Sequence, residues 1–160
     1  MPKRYWLMKS EPEAFSWDDL LASKDQTTSW DGVRNYQARN LLRDEIKKGD
    51  QVFFYHSRVN PQVIMGTATV LREGYPDDSQ FDPKSKYHDE KSDPENPRWF
   101  MVDIKADKPF KHPVSLPRMK TTPGLEEMSL LRKGNRLSVQ PVTAEEWKIV
   151  RALSRTKGSE

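Results

Sequence analysis

The sequence predicts an α+β fold: a single domain built on a small mixed or antiparallel β-barrel, with helices packed on its outside. Three observations lead there. The chain has 160 residues, which fits one domain with a proper core. Its strand-type runs, rich in aromatic and β-branched residues, follow one another without a regular helix between each pair, which argues against a doubly wound parallel sheet. Two helix signals follow the first strand, and one more follows the last.

The elements follow in order. Tyr5-Trp6-Leu7-Met8-Lys9 reads as a buried strand that ends at Ser10-Glu11-Pro12, because Pro has no N–H for a ladder. A helix is predicted from Trp17 to about Ala22: Ser16 caps it, Asp18 and Asp19 suit its positive end, and Phe15 staples to Leu20. A second helix starts at Asn35 and stops near Lys47-Lys48-Gly49. Gln51–His56 is the clearest strand, and Val63–Leu71 the next, with Gly66 marking a bulge or a close backbone approach. Gly74 to Pro97 is polar, rich in Pro and too long for a hairpin turn, the kind of loop that is functional or disordered. Trp99–Ala106 is a strand with one solvated face, Lys111–Leu116 a short edge segment, and Leu125–Leu131 a set of helical turns. Leu137–Val142 is the last strand. Thr143-Ala144-Glu145-Glu146 is a capping box for a terminal helix through Trp147, Val150 and Leu153. The domain is expected over residues 1–155, with 156–160 a polar tail.

Composition narrows the function. Hydrophobic residues make up 34% and charged residues 32%, so the core is lean, and five Trp compensate because each ring buries a large area. There is no cysteine, which excludes disulfides, thiolate catalysis and Cys-based zinc sites and fits a reducing, cytoplasmic setting. No apolar run is long enough for a membrane span. The net charge is +3, a weak pointer to nucleic acid, but its distribution is uneven. Residues 77–95 hold seven acids against three Lys, whereas 98–136 hold nine Lys or Arg against four acids.

The most informative stretch is Trp30-Asp31-Gly32-Val33-Arg34-Asn35-Tyr36-Gln37-Ala38-Arg39-Asn40. Asp-Gly is a turn pair, and Asn35 then opens a helix. A Trp just before such a turn has two uses. It plugs a core, or it offers a flat wall beside amide donors, which suits a nucleobase.

This stretch, together with Tyr5–Pro12, Gly49–Ser57 and Arg136–Val142, resembles the EVE domain family, in the expected order over nearly the whole chain. The resemblance is to the thymocyte nuclear protein type. Eukaryotic members tend to carry a long basic N-terminal extension that this chain lacks, so the compact bacterial form is expected. The resemblance implies a PUA-like β-barrel flanked by helices, related to the YTH readers of methylated adenosine in RNA. It further implies a module that is not an enzyme, needs no cofactor, and holds a modified base of DNA or RNA at the open edge of the barrel.

Within that reading Trp30 is the stacking wall, worth roughly 1–3 kcal/mol per base. A methyl group on the base adds about 0.8 kcal/mol when buried. Asn35 and Ser10 would read the base edge, although Asn35 is equally the helix cap. Arg34, Lys9 and Arg58 would hold the strand, Arg34 having a surface ion pair as its plainer role. His56 and Ser57 sit at a strand end where phosphates could reach them, and Arg136 could reach the same mouth. Tyr36 and Tyr55 read as core before pocket. Phe81 would close the long loop as a lid or simply anchor it.

Two alternatives stay open. Asp77, Asp78, Asp82, His88, Asp89 and Glu90 could bind a divalent metal for hydrolysis, against the plainer reading of a solvated acidic loop. The same pocket could instead hold a small metabolite. No nucleophile elbow, phosphate loop or dinucleotide fingerprint is present.

Overall fold

The computed structural model describes residues 3–135 and 137–157. Among these, six strands form one mixed sheet: β1 (Tyr5–Ser10), β2 (Thr27–Ser29), β3 (Gln51–His56), β4 (Val63–Pro76), β5 (Phe100–Ser115) and β6 (Val139–Val142). Their order is β2-β5-β4-β3-β1-β6. Only β1 and β3 pair in parallel, Tyr5 opposite Gln51 through Ser10 opposite His56. The mixed sheet with flanking helices agrees with the expected class, while the hydrogen-bonded ladder itself stays open between β2 and β6.

Both faces of the sheet are covered, so its central strands read as continuous apolar runs rather than alternating ones. Trp6, Met8, Val52, Phe54, Val70 and Ile104 point into one cluster, closed by Trp17 and Leu20 of α1 (Trp17–Ala22) and by Trp30, Val33, Leu42 and Ile46. Leu7, Phe53, Tyr55 and Val114 point into the other, where α4 (Ala144–Leu153) lays Trp147 flat on Phe53, ring centroids 3.9 Å apart. The capping boxes expected at Ser16 and Thr143 both form.

Several elements depart from expectation. β4 runs on to Pro76, and β5 absorbs the segment expected to be a separate edge strand. Register shifts along this pair let two long strands bend together, and Pro109 is accommodated opposite Gly66 beside one of these shifts. Gly66 makes the close approach anticipated for it: a Cβ there would lie 2.6 Å from the Lys108 carbonyl and 2.7 Å from the Trp17 ring. β2 is polar and short, and it becomes a strand only because β5 offers it an edge. The second helix is α2 (Tyr36–Asn40), continued by a π turn at Leu41–Glu45. A further short helix, α3 (Leu116–Lys120), was not anticipated. Ser115 caps it, and Arg118 reaches back to the carbonyls of Leu153 and Thr156, which ties the start of the polar tail to the domain.

Candidate functional site

A cavity of about 540 Å³ opens where the end of β1, the residues after β2 and the long loop meet. Lys9 and Ser10 form one side, Phe15 and Ser138 stand beside them, Trp30 to Arg34 form the floor, and Lys86 and Tyr87 come down from the long loop.

Trp30 is part of the core and also borders the cavity. Its N–H extends the sheet by donating to Val102, its ring meets Phe54 edge-on at 5.5 Å, and the 8% that stays exposed lies at the cavity. Gly32 then turns the chain at φ +76°, and a Cβ there would come within 2.5 Å of the Tyr87 ring. Only glycine lets this floor lie so close beneath the loop.

Arg34 has a different task from the one expected. Its Nε and Nη2 donate to the Tyr87 carbonyl, its Nη2 also to Ser79 Oγ, and its Nη1 to the Val33 carbonyl and to Asp77 Oδ2 at 3.1 Å. These contacts use all five guanidinium donors. The group is therefore the anchor of the long loop rather than a free clamp for a strand. Asp77, fully buried, also accepts from the N–H groups of Gly32 and Ser79. Burial pushes its carboxyl up, but the bonds from Ser79, Gly32 and Arg34 outweigh that and hold its pKa below the usual value.

Two charged groups at the cavity are in no ion pair among the described residues. Lys9 makes no ion pair among the described residues, its nearest aromatic neighbour being Tyr55 with the ring centroid 6.0 Å away, and burial lowers its pKa. Asp31 has its pKa raised by burial first and then by the facing charge of Asp77. Ser10 donates to the Phe15 carbonyl and keeps its acceptor capacity.

The structure thus brings Lys9, Ser10, Trp30 and Arg34 together and leaves the other expected residues among those described off the cavity wall. Asn35 is the helix cap: its Oδ1 accepts from Ala38 N–H at 3.0 Å. Tyr36 is neither core nor wall; it is 52% exposed and stacks on Trp99 at 4.8 Å, because its helix turns it outward. Tyr55 packs in the second cluster with Phe53 and Val114, where burial pushes its hydroxyl up to about 12 and Gln62 accepts a hydrogen bond from it. His56 accepts from Trp17 N–H at 3.0 Å, a role that needs the neutral ring, and burial lowers its pKa. Ser57 donates its N–H to the Ser10 carbonyl. Arg58 pairs with Glu11 on the surface. Phe81 ends a 3₁₀ turn and is not among the cavity-lining residues, whereas Tyr87 of the same loop is. Arg136 lies outside the described residues.

Tyr87, Lys86, Phe15, Thr28, Ser29 and Asp31 escaped the sequence reading as wall residues. The one signal for Tyr87 was an aromatic residue isolated in a polar loop. As for the metal alternative, among the described residues no three His, Asp or Glu converge, and Asp77 and Asp89 bond to Arg34 and to the Trp99 indole.

The family model described as "EVE domain" matches residues 4–153. The chain belongs to the EVE domain family. This EVE domain is 42% identical to thymocyte nuclear protein 1 of Gallus gallus, over 96% of this chain and 69% of that protein. Its fold matches a Pseudomonas putida protein at a TM-score of 0.88 with 45% identity, covering 94% of this chain and 99% of that one. It matches human THYN1, solved in complex with DNA containing 5-methylcytosine, at a TM-score of 0.91 with 40% identity, covering 98% and 100%. Among the described residues of this EVE domain no helix is long and apolar enough to cross a membrane.

Proposed function

We propose that the cavity holds a modified nucleobase of a nucleic-acid strand, with 5-methylcytosine in DNA as the first candidate, and that the protein is a non-catalytic reader. The observation that carries this reading is the likeness to human THYN1, whose solved complex contains such DNA. The cavity chemistry supports it. Trp30 and Tyr87 supply aromatic surface for a flat ring, Ser10, Thr28 and Ser138 supply hydroxyls, and Lys9 supplies a cation that is in no ion pair among the described residues. A volume of about 540 Å³ falls in the range of small-ligand sites.

Fluorescence anisotropy with labelled DNA and RNA strands, plain and 5-methylated, at two salt concentrations tests it. The methylated strand should bind more tightly. Tyr87→Ala should weaken it roughly 5- to 150-fold, the equivalent of one lost stacking contact. Lys9→Met should make the salt dependence shallower by about 0.7 in log–log slope for a single strand, one phosphate contact fewer. Equal binding of plain and methylated strands by the wild type would overturn the reading. Salt-independent capture of a free nucleoside would favour a small metabolite.

A further inference from the structure

The carboxylate of Asp31 is out of place in a site for a polyanion. It lines the cavity, yet no other described residue donates a hydrogen bond to it; its own backbone N–H and the charges of Arg34 and Lys86 are what favour its ionised form. The turn has other ties, since the Asp31 N–H also donates to the Ser29 carbonyl and the Gly32 N–H goes to Asp77. A carboxylate at the wall of a base-sized cavity, bonded by no other described residue, calls for a donor on the ligand.

We propose that Asp31 determines specificity by accepting the exocyclic amine of the bound base, so that the site selects an amine-bearing pyrimidine over its carbonyl counterpart. This rests on the base-holding reading above. Among base edges the amino group of cytosine is the donor that a carboxylate reads. Thymine has the same ring and the same methyl group, but an acceptor at that place and a donor at the adjacent ring nitrogen. Facing Asp31 it would set two acceptors against each other. The methyl group and the stacking walls cannot make this distinction, because the two bases share both.

The experiment compares two single-stranded oligonucleotides that differ at one central position, 5-methylcytosine or thymine, against wild type, Asp31→Asn and Asp31→Ala. Wild type should prefer 5-methylcytosine by about tenfold or more. Asp31→Asn, whose amide both donates and accepts, should bring the ratio to within about threefold. Its absolute affinities for both strands should rise as a negative charge leaves the site, so the ratio is the readout that a purely electrostatic or structural role would not move. Asp31→Ala, which removes the same charge and the acceptor with it, should likewise bring the ratio to within about threefold. Asp31 is an exposed residue only partly shielded by its neighbours, and no other described residue donates a hydrogen bond to its carboxylate, so thermal melts of all three should coincide. A wild-type preference retained by both variants would overturn the role of Asp31 and leave the base-holding reading intact. Binding of neither strand by the wild type would overturn both.

Discussion

Trp30 meets two demands with one ring. Packed edge-on against Phe54 and 8% exposed, it contributes to the core as fully as to the cavity. Trp30→Ala should therefore cost about 3–5 kcal/mol of stability, lowering Tm by about 6–20 °C in a calorimetric melt. A melt unchanged within a degree would show that the ring is wall alone. For this reason Tyr87, which sits on a loop, is the cleaner probe of stacking. His56 shows the opposite economy, a titratable residue used for structure. Burial lowers its pKa, with Asp18 pulling weakly the other way, so the unfolded chain takes up the proton more readily. Its contribution to stability is complete above about pH 6.5, and it is lost as pH falls through the lower folded value. Denaturant midpoints measured from pH 7.5 to pH 5 should decline in the wild type. They should decline less in His56→Gln, whose side-chain carbonyl accepts from Trp17 N–H without titrating.

At the scale of elements, the long loop is the feature that turns a sheet edge into a cavity. Its order comes from buried polar groups. Gln80 is fully buried, and its amide donates to the carbonyls of Asp77 and Trp99 while accepting from Ser92 and from the N–H groups of Arg98 and Trp99. Arg34 then ties the loop to the floor, and stacked groups continue outward from it: Arg34 over Trp99 at 5.2 Å, Trp99 against Tyr36, and Arg39 over Tyr36 at 4.9 Å. Arg34→Gln should free the loop, so that trypsin cuts at Lys84, Lys86 or Lys91 at least several-fold faster than in the wild type while global unfolding changes far less. Equal cutting rates would show that Gln80 alone orders it. The strap also has a pH limit. The folded pKa of Asp77 is depressed, so its contribution is present above about pH 3.9 and is lost as pH falls further.

At the scale of the molecule, the chain closes on itself through Asp50. This buried carboxylate accepts from the Arg4 and Lys47 N–H groups and from the Trp6 indole, joining β1, the end of the π turn and the start of β3. Asp50→Ala would strand three donors, and we expect a loss of about 3–5 kcal/mol. It would be read as a lower denaturant midpoint at unchanged slope. The charge map is also global. The acidic stretch at 77–95 is held in place by cations and amides rather than gathered round an ion, as Arg34 with Asp77 and Arg98 with Asp89 show. This is why a run of acids that is dense along the chain brings no three His, Asp or Glu together among the described residues.

What the sequence determined by itself is what depends on neighbours in the chain. The capping boxes at Ser16 and Thr143, the strands Tyr5–Ser10 and Gln51–His56, and the turn at Asp31-Gly32 were legible, because caps, turns and apolar runs are short-range chemistry. The long motif carried the family for the same reason. Only the tertiary structure decided the rest. It made a strand of Thr27–Ser29 by offering an edge, and it turned Tyr36 outward. It took up every donor of Arg34 and lined the cavity with Tyr87 rather than Phe81. A side chain's availability depends on partners that the fold brings to it from far along the chain: Arg34 meets Asp77 across 43 residues and the Tyr87 carbonyl across 53. Residue type shows which bonds a group is able to make, and packing decides which of them are already made.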